Sequence, residues 1–182
     1  MLFTKKDYVE GGDQMSKTLK KLTILVVVSL VAVGGILGGL SVTANAQTVG
    51  EDALRAEVAA ASSQFVEALN TGDGELFDSL WLQSDNASRF NTSQPFRIEG
   101  WSDVRQTYAG ILSLPTGSVT LNARQVRIDL LGDDVAIITS HFVLNLRPPG
   151  GTRRTITGRS SSVLQKIDGK WLRVHFHTSV LP

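Results

Sequence analysis

A change in hydrophobic spacing near residue 118 constrains the fold of this chain more than any other feature. Before it, apolar residues recur three or four positions apart, which is the spacing of one helix face. After it, apolar and polar residues alternate in long runs, as in strands with one buried face. Helices followed by an antiparallel meander predict an α+β fold with the helices on one face of the sheet. The clearest helical positions are Leu54, Val58, Ala61, Phe65 and Leu69.

Three helices are predicted before the long strands. The first spans residues 51–70, and Gly72 is suited to its C-terminal cap. Asp73 is suited to cap a short second helix. The third begins near residue 102 and cannot continue through Pro115, because proline lacks the backbone donor that a helix interior needs.

Six strands are expected, two of them short, at residues 88–91 and 96–98. The first long strand changes phase between Ala123 and Val126, which is what a β-bulge produces. The pair Asp168-Gly169 is a strong signal for a two-residue hairpin. The long strands are expected at residues 119–130, 135–146, 152–167 and 171–180.

The predicted arrangement also places a binding pocket. A curved sheet covered by helices encloses a cavity, and small-molecule sites usually lie in such cavities. Side chains alternate between the two faces of a strand, so the last strand divides into two sets. We expect Leu172, Val174 and Phe176 to face the helices, and Arg173, His175 and His177 to lie on the outer face.

The N-terminal region has the pattern of an export signal. Lysines at positions between 17 and 21 precede an apolar run at residues 22–40, and Ala44 and Ala46 form a small-residue cleavage signature. We therefore expect cleavage after Ala46 and a periplasmic or secreted protein, with translation starting at Met15. The alternative is a retained membrane anchor, since the run approaches the ~20 residues that span a bilayer.

The remaining domain, residues 47–182, has nearly balanced charge. It has 13 basic and 14 acidic residues, compared with 18 and 17 in the whole chain. Such a domain lacks the basic patch of a nucleic-acid-binding protein, so no nucleic-acid partner is expected. The chain has no cysteine, which excludes disulfides and thiolate chemistry.

Three segments carry a resemblance to a known family. They are residues 65–73 (Phe-Val-Glu-Ala-Leu-Asn-Thr-Gly-Asp), 98–101 (Ile-Glu-Gly-Trp) and 168–179 (Asp-Gly-Lys-Trp-Leu-Arg-Val-His-Phe-His-Thr-Ser). The chain resembles the nuclear transport factor 2-like, or ketosteroid isomerase-like, superfamily over residues 51–180. Its last hairpin is similar to that of SnoaL-like proteins, and closer to the association (hub) domain of calcium/calmodulin-dependent kinase II. The resemblance implies a cone-shaped, curved antiparallel sheet packed on three N-terminal helices.

The catalytic positions implied by the resemblance hold other residues here. Phe65 stands where ketosteroid isomerases have a tyrosine in the oxyanion hole, and phenylalanine has no hydroxyl to donate. Asn91 stands where those enzymes have a carboxylate base, and an amide cannot act as that base. Ketosteroid isomerase chemistry is therefore not expected.

The hub domain holds carboxylates with arginines in its pocket, and the resemblance places those positions at Phe142, Ser162 and Thr178. All three are uncharged here, so an anion held in the same way is not expected. Aromatic residues at positions 81 and 108 are suited to line an apolar pocket, although ordinary core packing is the favoured explanation for Trp81. The candidate ligand-binding residues are Trp81, Asn91, Tyr108, Phe142, Ser162 and Thr178.

Two functions remain open from the sequence, and binding is favoured over catalysis. The first is a small apolar ligand site or an oligomerisation domain, a homodimer or larger, which associates through a sheet whose strand 135–146 is apolar on both faces. The second is a SnoaL-like isomerase, cyclase or hydrolase acting on an apolar or polycyclic substrate through Asn91, Tyr108 and His141. Two or more titratable groups meeting in the deepest pocket would favour the enzyme.

No metal or cofactor is predicted. His175 and His177 lie two residues apart on one strand face, and His141 could approach them from another strand. A bound transition metal needs a complete ligand set, and no third ligand accompanies the pair in the sequence. A structural or interface role for the histidines is favoured.

Overall fold

Helices and strands occupy separate parts of the chain, as the change in hydrophobic spacing predicts. The computed structural model describes residues 39–92 and 94–180, with side chains described from residue 50 onward. The helices are α1 (Gly39–Thr71), α2 (Gly74–Ser79) and α3 (Trp101–Leu112). The strands are β1 (Ser88–Phe90), β2 (Ile98–Glu99), β3 (Val119–Leu130), β4 (Val135–Leu146), β5 (Arg154–Ile167) and β6 (Lys170–Val180).

Helix α1 begins well before the predicted start at residue 51, so that boundary is wrong. The helix passes through Ala44 and Ala46, which are strong helix formers, and through Gly50. One internal glycine costs a helix only about 1 kcal/mol, which neighbouring residues can offset. Residues 1–38, with most of the expected export signal, lie outside the described residues. Among the residues that are described, no helix is long and apolar enough to cross a membrane.

The two expected helix caps between α1 and α2 are confirmed. Gly72 has a φ of +73°, a conformation that favours glycine, and the following Asp73 N–H donates to the Ala68 carbonyl at 3.0 Å. The Asp73 carboxylate then accepts the Leu76 N–H at 2.9 Å and caps α2. These bonds turn the chain sharply, so that α2 follows α1 almost without a linker.

The sheet has six strands in the order β2-β1-β6-β5-β4-β3 and is curved and unclosed. Most neighbours are antiparallel, but β1 runs parallel to β6, which differs from the all-antiparallel sheet that was expected. The β5–β6 hairpin turns at Asp168 and Gly169, both with positive φ, as the predicted two-residue turn requires.

Two β-bulges control which side chains face the helices. The first lies between Arg124 and Arg127 in β3, where the phase slip predicted it. The second was not predicted: Val163 pairs with His175 and Leu164 pairs with Arg173, so Val174 has no opposite residue. This extra residue shifts the alternation along β6.

The second bulge makes the predicted position of Arg173 wrong. Arg173 was expected on the outer face with His175, but it is buried on the helix side with 2% exposure. Phe176 faces the helices as expected and is also buried, whereas Leu172 and Val174 are only half-buried. The inward series therefore changes phase between Arg173 and Phe176.

The helix side of the sheet contains two buried clusters. The Tyr108 cluster packs α1, α2 and α3 against β6, and half of its buried members are aromatic; these are Phe65, Phe77, Trp81, Tyr108 and Phe176. The Leu164 cluster packs the middle of α1 against β4, β5 and β6; its main members are Val58, Ala61, Ala136, Ile138, Leu164 and Trp171. Helix α1 joins them because it contributes to both.

Candidate functional site

A cavity of about 170 Å³ lies beneath α1 and α3, against the helix side of the sheet. Helix α1 contributes Phe65 and Val66, and α3 contributes Tyr108 and Ile111. The inward residues of the long strands form the opposite wall, because every second side chain on β4 and β5 points to this side. Most of the wall is apolar, and the charged groups that line it, Arg89 and Arg173, both interact with Tyr108.

Arg173 supplies a buried positive charge to this cavity. Its Nε donates to Ser162 Oγ at 3.1 Å, and its guanidinium carbon lies 3.7 Å from the ring centroid of Phe65. Burial lowers the pKa of Arg173 to about 10, and the electrostatic interaction with Tyr108 partly opposes this decrease. The side chain remains protonated at neutral pH.

Arg89 approaches the same region from β1. Its guanidinium carbon lies 3.9 Å from the ring centroid of Tyr108, and one terminal nitrogen donates to Thr107 Oγ1 at 2.6 Å. The Nε of Arg89 is buried and has no hydrogen-bond partner among the described residues. A cation over an aromatic face is attracted by the ring quadrupole, which explains how α3 and β6 hold the side chain in place.

Tyr108 lies close to both arginines and is itself only 4% exposed. Its hydroxyl is buried and has no hydrogen-bond partner within the described part of the chain. Burial raises the pKa of the Tyr108 phenol, although Arg89 and Arg173 partly oppose the increase. The phenol thus keeps its proton at neutral pH and can donate a hydrogen bond.

No carboxylate lines this cavity among the residues described. The ion pairs of the described segments lie elsewhere and involve other basic residues. They are Arg55–Glu51, Arg97–Glu99, Arg105–Asp78, Arg127–Asp129 and Lys166–Glu57. Among the described residues, no carboxylate therefore lies in the cavity wall to balance the positive charge beside Tyr108.

The structure brings together four of the six residues that the sequence suggested for ligand binding. Tyr108, Phe142, Ser162 and Thr178 all line the cavity, so their role as ligand contacts stays a prediction with a defined location. The other two do not line it. Trp81 is 1% exposed within the Tyr108 cluster, and Asn91 is half-buried directly after β1.

Sequence reasoning missed the two arginines. Arg89 lies in a polar, irregular stretch whose short strand gives too little alternation to assign a face. Arg173 was assigned to the wrong face because the bulge at Val174 is invisible to strict alternation. One signal was present. Trp171 and Phe176 are both large apolar residues, but they are an odd number of positions apart, so strict alternation would place them on opposite faces of the sheet. Burying both on one face requires a bulge between them.

The histidines lie away from the cavity. The His175 Nδ1 is 2.9 Å from Ser88 Oγ, and the rings of His175 and His177 both meet the Phe90 ring edge-on. His141 is exposed and pairs in register with Arg159 on β5. Within residues 50–180, apart from 93, no group of three or more acidic or histidine side chains is arranged to hold a metal.

The fold is that of the nuclear transport factor 2-like class. A candidate dehydratase of that class from Streptomyces avermitilis superimposes with a TM-score of 0.64 at 22% identity, over 71% of this chain and 97% of the other. The association domain of calcium/calmodulin-dependent protein kinase II from C. elegans superimposes with a TM-score of 0.59 at 21% identity, over 71% and 97%. At these identities the likeness establishes the fold.

The sequence comparison assigns the chain to a family within that class. The SnoaL-like domain profile matches residues 58–182, and the chain belongs to this family. Rabbit (Oryctolagus cuniculus) calcium/calmodulin-dependent protein kinase type II subunit delta is 27% identical in an alignment of length 152 that covers 80% of this chain. The match spans only 28% of the kinase subunit.

Proposed function

We propose that this SnoaL-like domain binds a small molecule in the cavity beside Tyr108 without transforming it chemically. The observation that carries the proposal is the combination of apolar walls with the buried, unpartnered Tyr108 hydroxyl. A buried donor without a partner costs about 1–3 kcal/mol, and a bound ligand that accepts the bond would recover much of that energy. The free-energy cost of an unpartnered donor is lower in a binding site, where a ligand can accept its hydrogen bond, than in a permanent core.

Three titratable groups, those of Arg89, Tyr108 and Arg173, meet in the cavity. Their number favours an enzyme, but their chemistry favours binding. Arginine side chains stay protonated near neutral pH, and the raised pKa of Tyr108 keeps its proton in place. An acid–base catalyst works best with a pKa near the operating pH. Of the three residues suspected of catalysis, only Tyr108 lines the cavity; Asn91 and His141 do not.

The test is native mass spectrometry of protein purified from its own host. We expect a retained small molecule that is released on unfolding. In Ile156→Trp, the larger side chain occupies the cavity and should remove that molecule. Gln64→Trp makes the same addition at an exposed position of α1 that does not line the cavity, and should leave the molecule bound. An equal loss in both variants, or no small molecule in any sample under conditions that preserve the fold, would contradict the proposal.

We also propose that the outer face of the sheet binds a second copy of the chain. Ile137, Val143 and Val163 lie on that face, half-buried, opposite the side that the helices cover. A strand that is apolar on both faces is usually covered on both. The similarity to a kinase association domain supports the same proposal, and a closed two-fold dimer is the commonest arrangement for such a surface.

Sedimentation at micromolar concentration and neutral pH tests this association. Val143→Lys should convert the dimer to monomer, because it replaces an apolar side chain of the proposed interface with a charged one. Glu67→Lys also adds positive charge, but on the exposed side of α1, and should leave the dimer intact. A monomeric wild-type chain, or a dimer unaffected by Val143→Lys, would show that this face is not the interface.

The proposed site of action is outside the cytoplasm, after removal of residues 1–46. The support is the lysine-rich start, the apolar run and the Ala44-x-Ala46 signature in the sequence. N-terminal sequencing of the exported protein should begin at Gln47. Recovery of an intact residue 22–40 segment in the membrane fraction would support the anchor instead.

A further inference from the structure

We propose that the ligand of this cavity is a small monocarboxylate, held at its charged end by Arg173, Arg89 and Tyr108. The inference rests on the proposed small-ligand function and adds the chemical class of the ligand. It revises the sequence expectation of a purely apolar ligand. Neither arginine occupies any of the three positions, Phe142, Ser162 and Thr178, that the hub resemblance identified for carboxylate binding.

The first argument is charge. A buried cation is costly unless an anion or several hydrogen bonds compensate it. Arg173 is 2% exposed, and its side chain makes one hydrogen bond among the described residues, to Ser162. The aromatic rings around it stabilise the charge in part, but no carboxylate within the described residues lines the cavity. An anionic ligand would provide the missing counterion.

The second argument is the arrangement of donors. The guanidinium carbons of Arg173 and Arg89 lie 5.5 Å and 5.9 Å from the ring centroid of Phe176, so the two cations lie against one aromatic side chain. The Tyr108 hydroxyl is a third donor in the same region. A guanidinium carries five N–H donors and no acceptor, and Arg173 uses one of them. The site is therefore rich in donors, which matches a carboxylate with its two acceptor oxygens.

The third argument is the shape and size of the remaining cavity. Beyond the arginines most of the wall is apolar, from Val66 and Ile111 on the helices to Leu144 and Ile156 on the strands. Ser140 and Ser160 also line it, and their hydroxyls bond to each other at 2.8 Å. The volume of about 170 Å³ is close to that of an apolar cavity of about 150 Å³ that binds benzene. The ligand that fits both ends is a carboxylate on one ring or on a short branched chain.

Isothermal titration calorimetry at pH 7 with three ring compounds tests the inference. Benzoate has the carboxylate, benzyl alcohol has the same ring with a neutral polar group, and benzylamine carries the opposite charge. We expect benzoate to bind at least about tenfold more tightly than benzyl alcohol, because hydrogen bonds to a charged group contribute about 1.5–3 kcal/mol. Benzylamine should not bind measurably.

Three variants locate the effect. Arg173→Met preserves an extended side chain without charge and should weaken benzoate binding about tenfold or more. Tyr108→Phe removes only the hydroxyl and should weaken it by a smaller factor. Arg159→Met is the matched control. Arg159 is an exposed arginine on the other side of β5, so this variant should bind benzoate like the wild type. Circular dichroism confirms that each variant is folded.

The outcomes separate the two levels of the proposal. If benzyl alcohol bound as well as benzoate, or if Arg173→Met and Arg159→Met behaved alike, carboxylate recognition would be wrong while the cavity would remain a binding site. If none of the three compounds bound and the protein from its host carried no small molecule, the small-ligand function itself would be wrong.

Discussion

The two buried clusters on the helix side of the sheet differ in how their polar groups are partnered. In the Leu164 cluster, the Trp171 indole N–H donates to the Glu57 carboxylate at 2.9 Å, and Lys166 donates to the same carboxylate. In the Tyr108 cluster, the Trp81 indole and the Tyr108 hydroxyl are buried without partners among the described residues. One strand, β6, contributes Trp171 to the first cluster and Arg173, two residues later, to the second cluster's cavity.

This difference is the one expected if the Leu164 cluster stabilises the domain and the Tyr108 cluster serves the proposed binding. Buried polar groups in folded proteins are nearly all hydrogen-bonded, so exceptions need an explanation. In the Leu164 cluster no exception occurs among the described side chains. Of the three exceptions near the Tyr108 cluster, the Tyr108 hydroxyl and the Arg89 Nε belong to residues that line the cavity, whereas the Trp81 indole does not. A ligand that accepts hydrogen bonds would account for the first two.

The largest expected effect comes from Leu164→Ala. Leu164 is 1% exposed, so its truncation removes buried apolar surface and leaves a void, at a cost of about 2–5 kcal/mol in the free energy of unfolding. Leu131→Ala makes the same change at a side chain that is 56% exposed and should cost less than about 0.5 kcal/mol. Urea unfolding measures both. A loss below about 1 kcal/mol for Leu164→Ala would show that this cluster is not the stabilising part of the core.

The second effect has the opposite sign and concerns the unliganded protein. Arg173→Met removes a charge whose pKa burial lowers to about 10, so the variant should be as stable as the wild type or more stable by up to about 3 kcal/mol. Because the folded-state pKa is lowered, the cost of the charge is fully present below pH 10 and declines as pH rises through that value. The stability difference between the two proteins should therefore narrow above about pH 10.

Urea unfolding at a series of pH values checks this prediction, with Arg159→Met as the control. The control should change stability by no more than about 0.5 kcal/mol, since Arg159 is exposed. If Arg173→Met lost 2 kcal/mol or more without ligand, the arginine would be a structural part of the Tyr108 cluster, and the contrast between the two clusters would disappear.

Much of the fold could be predicted from the sequence because its signals are local. Gly72, Asp73 and the Asp168-Gly169 pair each specify a turn through the backbone angles that they favour. The bulge in β3 also left a trace, since exposed polar residues separate two inward apolar series. The site was harder to predict because it depends on the second bulge, at Val174. In the sequence alone, the buried Arg173 beside that bulge cannot be distinguished from an ordinary outward-facing polar residue.

Arg89 illustrates a different limit on prediction. Its strand, β1, has three residues and pairs in parallel with β6, a contact between segments almost ninety positions apart. No local pattern encodes such a pairing, whereas the paired hairpin strands are close in sequence. The predicted ligand residues on long strands, Phe142, Ser162 and Thr178, therefore face the cavity, while Asn91, which follows the short strand, does not line it.

The smallest expected effect extends the comparison to the other side of the sheet, at His175. Burial lowers the pKa of His175, and the positive charges of His177 and Arg97 lower it further. Ser88 contacts the ring through its hydroxyl, and Phe90 packs edge-on against it. The folded state then binds a proton less readily than the unfolded state, so stability is retained above the unfolded pKa and declines as pH falls below about 6.5.

His175→Gln should reduce this loss of stability between pH 7 and pH 5, by less than about 0.5 kcal/mol because the ring is partly exposed. His177→Gln should reduce it less, since His177 acts on His175 only through its charge. His141→Gln, also on an exposed strand position, is the control. Thermal unfolding of the three histidine variants is measured in the Val143→Lys background, which separates this effect from any change in self-association. An equal change in acid sensitivity for all three histidine variants would mean that general charge, and not the partly buried position of His175, sets the response of this face to pH.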